Sequence, residues 1–297
     1  MFYCLEHWGT AKLTEGQNIL SMSRRTIAIA SALSVLALGS PLITGCANDL
    51  ATNSLNSGVE KYEQGDYQGA IDDWSKAIEI DPRQTLAYYN RGNAKYFLKD
   101  YQGIIDDWSK AIEIDPRQTL AYYNRGNAKY FLKDYQGAID DFGKEIQINP
   151  KSFASYNNRG IVKRRLNDYQ GAIIDFDKAL EINPRHASSY SNRGNARQDL
   201  QDYQGALADY SKAIVINPQY SEAYNNRGFV KKELQDYQGA IADYDKAAEI
   251  NPLDALVYKN RGDVKQLVGD LKGACADWQE AASLGDKDGA EWVKKQC

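Results

Sequence analysis

An arginine recurs in this sequence where a helical stripe calls for an apolar residue. Arg91, Arg125, Arg159, Arg193, Arg227 and Arg261 stand 34 residues apart, each between small or apolar neighbours such as Ala87, Ala94 and Leu98. A guanidinium buried without a partner costs several kcal/mol. A second series of the same period supplies the partner: Asp73, Asp107, Asp141, Asp175, Asp209 and Asp243, continued by Asp277. The two series predict an arginine–aspartate ladder that stacks the repeated segments. The bland alternative is that both side chains snorkel at the edge of an interface. A third series is Asn90, Asn124, Asn158, Asn192, Asn226 and Asn260. A side-chain amide offers donor and acceptor together, so it can pair with a peptide backbone without reading its sequence. Spaced along a groove, such residues hold an extended chain; otherwise they cap or bridge locally.

Other chemistry is poorly provided for. The only histidines are His7 and His186. No nucleophile–base pair, metal-ligand spacing or glycine-rich phosphate loop is visible, so we expect no enzyme, no metal and no cofactor. His186 reads as a solvated turn residue. A net charge of -4 argues against non-specific nucleic-acid binding, which needs a basic surface. With 21 Tyr against 7 Phe and 5 Trp, tyrosine is the unusual count.

Elements of one size must carry these series. Gly58, Gly92, Gly126, Gly160, Gly194, Gly228 and Gly262 share the 34-residue period, as do Pro82, Pro116, Pro150, Pro184, Pro218 and Pro252. Such a period marks a stacked array. Seven units fit: 51–84, 85–118, 119–152, 153–186, 187–220, 221–254 and 255–288. In the second, Ala87, Arg91, Ala94 and Leu98 follow helical spacing, and Asp100 is a plausible N-cap. Tyr101, Ile105, Trp108, Ala111 and Ile112 form the next stripe, which Asp115-Pro116 stops. Each unit is therefore helix, turn, helix, breaker. Neither helix buries its face alone, so neighbours must stack. Residues 66–103 repeat as 100–137 except for Ala70 against Ile104, the mark of a recent duplication.

Over about 51–288 the chain resembles the tetratricopeptide repeat family. The family's aromatic at position 4 is Tyr88, Tyr122, Tyr156, Tyr190, Tyr224 and Tyr258. Its small residue at position 8 is the glycine series. Position 24 carries Trp74, Trp108, Phe142, Phe176, Tyr210, Tyr244 and Trp278. The departures are arginine for leucine at position 7, Ile104 for alanine at 20, Glu145 for alanine at 27, and Ser54 for the first aromatic. Ile104 and Glu145 are expected to loosen their units. The resemblance implies an all-α, right-handed α-solenoid closed by a capping helix at 289–297. It also implies a concave groove lined by the first helices. That groove would hold the asparagine series, an arrangement similar to the asparagine ladder of the O-GlcNAc transferase repeat domain. It would also hold Tyr89, Tyr96, Phe97, Tyr123, Tyr130 and Phe131, then Arg164 and Arg165. An extended peptide would lay an apolar or proline-rich part on the aromatics and an acidic group on the arginines. We expect some of those rings to pack between repeats instead.

The N-terminal stretch reads as targeting, not fold. Arg24 and Arg25 precede the apolar run Thr26–Ser40, which has signal-peptide length. Ile43-Thr44-Gly45-Cys46 resembles the lipobox of bacterial lipoproteins, with Ile43 where leucine is usual. The resemblance implies a signal at 1–45, lipidation of Cys46 and a short linker within 46–53. Ala47 resembles the residue of outer-membrane-sorted lipoproteins. A simple secretory signal or membrane anchor is the alternative. Residues 1–21 fit no signal, and Met22 is the expected start of translation. Cys275 and Cys297 then remain, either as a disulfide stapling the C-terminal cap or as two buried free thiols.

Together these readings predict a non-enzymatic interaction scaffold, lipid-anchored on the periplasmic side of a bacterial envelope, with a protein or peptide partner and no nucleic acid. Rival readings are a glycan- or peptidoglycan-binding protein using the groove tyrosines, a pilus or secretin assembly lipoprotein, and a structural spacer.

Overall fold

The computed structural model describes residues 43–297, with side chains from Asp49 onward. The expected signal residues 1–42 lie outside it. Among the described residues there are fifteen helices and no strand. In chain order they are α1 (Ile43–Glu63), α2 (Tyr67–Ile80), α3 (Thr85–Phe97), α4 (Tyr101–Ile114), α5 (Thr119–Phe131), α6 (Tyr135–Ile148), α7 (Phe153–Arg165) and α8 (Tyr169–Ile182). There follow α9 (Ala187–Asp199), α10 (Tyr203–Ile216), α11 (Ser221–Glu233), α12 (Tyr237–Ile250), α13 (Ala255–Leu267), α14 (Leu271–Ser283) and α15 (Lys287–Gln296). The chain divides after Pro150 into two compact units. Within each, consecutive helices pack as hairpins, each pair on the next.

The turn inside each hairpin is set by three residue types. The first helix ends on Leu98, Leu132, Leu166, Leu200, Leu234 or Val268. The next residue takes a left-handed backbone: Lys99, Lys133, Asn167, Gln201 and Gln235 have φ of 60 to 63°. Gly65 and Gly269 fill that place at φ 83° and 84° in the first and last hairpins. Then an aspartate caps the second helix. The Asp100 carboxylate accepts from the Gly103 N–H at 2.9 Å, and Asp66, Asp134, Asp168, Asp202, Asp236 and Asp270 do the same. Such a cap satisfies one of the donors that a helix start leaves open.

The core of each hairpin is an aromatic ring laid on a glycine. A Cβ on Gly160 would stand 2.7 Å from Phe176 Cε1, and one on Gly58 would stand 2.5 Å from Trp74 Nε1. The glycine lets the two helices approach until the ring is sealed; Phe142, Phe176, Tyr210, Tyr244 and Trp278 are fully buried. Trp74 and Trp108 donate their indole N–H to the Leu55 and Tyr89 carbonyls at 3.1 and 3.2 Å.

Several expectations change at this level. No linker separates Cys46 from the first repeat. Helix α1 runs through Cys46 without a break, and Ala51 is already buried. No proline interrupts Ile43–Glu63, and the segment propagates the helix that the first repeat nucleates. Ile104 does not leave a gap; it is fully buried against the Trp108 cluster. Glu145 is buried, and its Oε1 accepts from Asn149 Nδ2 at 3.2 Å. The capping helix begins at Lys287, two residues before the expected boundary, because Asp286 caps it through the Gly289 N–H at 2.6 Å. Cys275 and Cys297 are joined by a disulfide, and Trp292 of α15 stacks on Trp278 at 5.8 Å.

Candidate functional site

The arginine and aspartate series meet, but the connection closes inside each repeat. Arg91 Nε donates to Asp107 Oδ2 at 2.9 Å and Nη2 to Oδ1 at 2.6 Å. Lys95, one turn further along α3, reaches Asp107 Oδ2 at 2.8 Å. The same triad recurs as Arg125–Asp141–Lys129, Arg159–Asp175–Lys163, Arg227–Asp243–Lys231 and Arg261–Asp277–Lys265. In Arg193–Asp209–Arg197 the third member is an arginine. The first repeat has Ser57 in the arginine place, and Asp73 takes Lys61, Ser57 and Lys76 instead. Burial works against the Asp73 charge, yet those three hydrogen bonds outweigh it and hold the carboxyl down at about 2. The hydrogen bond to Asp175 likewise raises the Arg159 guanidinium.

The third guanidinium nitrogen makes the link between repeats. Nη1 of Arg91, Arg125 and Arg227 donates to Ser75, Ser109 and Ser211 of the preceding repeat. Arg193 and Arg261 pair there with Asp177 and Asp245. Each arginine also lies over the tyrosine three residues before it, with centroid distances of 5.3 to 5.7 Å. The lysines and the serine or aspartate rungs were not anticipated from the sequence. The lysines carry the 34-residue period, with Arg197 in one place, so that signal was present; the rung series is interrupted by Gly143.

The asparagine series is largely spent between neighbouring first helices. Asn124 Nδ2 donates to the Tyr89 hydroxyl at 3.2 Å and approaches Asn93 Oδ1 at 3.5 Å. In the C-terminal unit Asn192 donates to Asn157, Asn226 to Asn195 and Asn260 to Asn225, each at 3.1 Å. Asn90, Asn124 and Asn158 are buried. Asn124, Asn192, Asn226 and Asn260 thus staple consecutive repeats, and Asn192, Asn226 and Asn260 remain half buried. Asn90 Oδ1 is sealed from solvent without a hydrogen bond.

The aromatic positions divide in the same way. Tyr89 and Tyr130 are buried, and burial raises the Tyr89 hydroxyl pKa. Tyr123 leans on Phe142 with centroids 6.0 Å apart. Phe97 stacks flat on Tyr67 at 4.3 Å yet remains 45% exposed, and it meets Tyr62 and Tyr96 edge-on at 5.8 Å. Tyr96 passes the contact to Tyr101 at 6.4 Å, Tyr101 stacks on Phe131 at 5.4 Å, and Phe131 meets Tyr130 at 5.9 Å. A continuous chain of rings thus runs from the first to the third repeat of the N-terminal unit.

Charged residues occupy the matching positions of the C-terminal unit. Arg164 is engaged by Asp199 at 2.6 Å, so it does not stand open for an acidic ligand; Arg165 is exposed. Lys232 lies over the Phe229 ring at 4.6 Å. His186 is not a solvated turn residue. Its Nδ1 is 2.8 Å from Ser189 Oγ, its ring packs edge-on against Phe153 at 5.0 Å, and burial lowers its pKa.

Helix hairpins of one length, stacked on a shared glycine–aromatic core, define a helical-repeat protein. Tetratricopeptide-repeat sequence profiles match residues 120–152, 153–186 and 221–253, and a related TPR-repeat profile matches 58–99 and 194–235. The chain belongs to the tetratricopeptide repeat family. Among solved structures it is similar to a tetratricopeptide repeat protein from Parabacteroides merdae ATCC 43184, at 20% identity and a TM-score of 0.66 over 83% of this chain and 98% of that one. PilF of Pseudomonas aeruginosa matches at 18% identity and 0.61, over 73% and 99% of the two chains. YrrB, described as a TPR protein with an unusual peptide-binding site, matches at 23% identity and 0.52, over 62% and 95%. These likenesses speak to the fold. No curated protein matches.

Proposed function

We propose that the chain is a non-enzymatic scaffold that holds a partner protein by an extended segment laid across the first helices of its N-terminal unit. The observation that carries this reading is the chain of partly exposed rings at Phe97, Tyr96, Tyr101 and Phe131. YrrB's description names a peptide-binding site, and the same use is proposed for this groove.

The same proposal places the scaffold at a bacterial envelope, tethered through a lipidated Cys46. The lipobox-like Ile43–Cys46 motif supports it, and a Cys275–Cys297 disulfide suits an oxidising compartment. No helix among the described residues is long and apolar enough to cross a membrane. Crosslinked pull-down from the native envelope tests the scaffold. Tyr96→Ala with Phe97→Ala should lose the partner, and unchanged capture would refute the groove. Cys46→Ser should move the protein from the membrane to the soluble fraction; a variant that stays with the membrane would refute the lipid tether.

A further inference from the structure

The last hairpin is closed by a helix that is held at both of its ends. Helix α14 packs on α13 on one side and on α15 on the other. Gly289 brings the α15 backbone down onto α14: a Cβ there would stand 3.0 Å from the Trp278 carbonyl oxygen and 3.1 Å from Ala281 Cβ. Three residues on, Trp292 stacks on Trp278, which is fully buried. The near end of α15 is joined to α14 through Leu284, Gly285 and Asp286, and its far end by Cys275–Cys297. A helix of ten residues does not persist alone in water, so the disulfide is the lock on this docking.

The lock can be moved as well as broken. Cys297 is exposed, so a thiolate can reach its sulfur. Gly285 holds φ of 95°, beyond the 60 to 63° that side chains occupy in the hairpin turns. The turn that folds α15 back on its own α14 thus needs glycine, and an opened turn does not. An α14 face bared of α15 requires a cover of the same shape. The start of another array does not supply it: where other first helices carry tyrosine and arginine, α1 has Ser54 and Ser57. The α15 of a second copy fits, because it presents the same surface. We infer that this end is a thiol-triggered exchange joint, at which two copies of the chain trade α15 helices and become linked by two interchain Cys275–Cys297 disulfides. Exchanging an identical element is a low-cost route to a dimer. The chemistry balances without an oxidant. A thiolate attacks Cys297 Sγ, forms a mixed disulfide and releases the Cys275 thiolate. The Cys275 thiolate of the other copy then attacks that Cys297 Sγ and expels the first thiolate, which regains its proton. Done twice, two intrachain disulfides become two interchain ones and the thiol is regenerated. Each dimer carries two copies of the groove proposed above, and paired sites raise avidity for a partner that repeats its segment.

The test mixes equal amounts of heavy-isotope-labelled and unlabelled full-length chain, concentrated, with a substoichiometric amount of reduced glutathione. Thiols are then blocked and disulfide-linked peptides mapped by mass spectrometry. A covalent dimer should form in which Cys275–Cys297 joins a heavy to a light chain as often as two like chains. Without glutathione no heavy–light link should form. Cys297→Ser should form no such dimer while its helical circular dichroism is retained. Gly285→Ala strains the closed turn in both copies and should raise the dimer-to-monomer ratio about tenfold. Thiol-treated chains that return only to intrachain links would overturn the inference. So would a dimer joined only through other cysteine pairs, or an unchanged ratio in the Gly285→Ala variant.

Discussion

The Arg159 guanidinium contacts the Asp175 carboxylate through two nitrogens, Nε at 2.9 Å and Nη2 at 2.6 Å. Removing Arg159 leaves the buried Asp175 with Lys163 as its remaining cation, at 2.8 Å, and removing Asp175 leaves a half-buried guanidinium without its carboxylate. Arg159→Leu should cost about 3 kcal/mol in urea unfolding. Arg159→Leu with Asp175→Leu should cost less than the sum of the single changes, and strict additivity would show that the pair does not couple. His186 offers a second test at this scale. Burial lowers its pKa below the usual 6.5, so on acidification the unfolded chain takes up the proton first. Stability is complete above that value and falls as pH drops toward the lowered folded one. Thermal melts between pH about 7.5 and 5 should show this slope, and His186→Gln should flatten it. The sequence made the arginine–aspartate pairing legible because both residues keep the repeat period. It did not show that the asparagines staple repeats, because an amide facing a ligand and one facing the next helix have the same spacing. His186 was misread for a related reason: its burial depends on Phe153, a full repeat away.

The hairpin turn is the element that this chain treats least economically. Five consecutive turns hold a non-glycine residue at φ of 60 to 63°, where an L side chain crowds its own carbonyl. Gln201→Gly and Gln235→Gly should each stabilise by about 0.5–1 kcal/mol after the unfolded-state entropy of glycine is counted. Urea midpoints of the single and double variants check this, and a loss of stability would refute it. Helix boundaries were readable because Asp100, Gly103 and Asp115-Pro116 punctuate the hairpin chemically. The continuity of α1 was not. Ala47–Asn53 contains no strong breaker, and its polar composition suits a linker as well as a helix end packed on one side only.

At the scale of the molecule, stability resides in neighbours, as in any stacked array. The C-terminal end is secured by α15, whose ten residues are too few for a stable helix alone. Its disulfide joins residues 22 apart, a closure worth about 3 kcal/mol. Reduction should release α15 and change the emission of Trp292, while most of the helical signal remains. Loss of the whole helical signal on reduction, or none of the Trp292 change, would contradict this arrangement.

The rung between repeats carries one more consequence. Where it is serine, as at Ser75, Ser109 and Ser211, the junction is a hydrogen bond with one neutral partner. Where it is Asp177 or Asp245, the junction is an ion pair whose carboxylate faces water. Dissolved salt screens the second kind far more than the first. Salt should therefore weaken the junctions before α9 and α13 more than those before α3, α5 and α11, so ionic strength acts as a tuning key on selected joints.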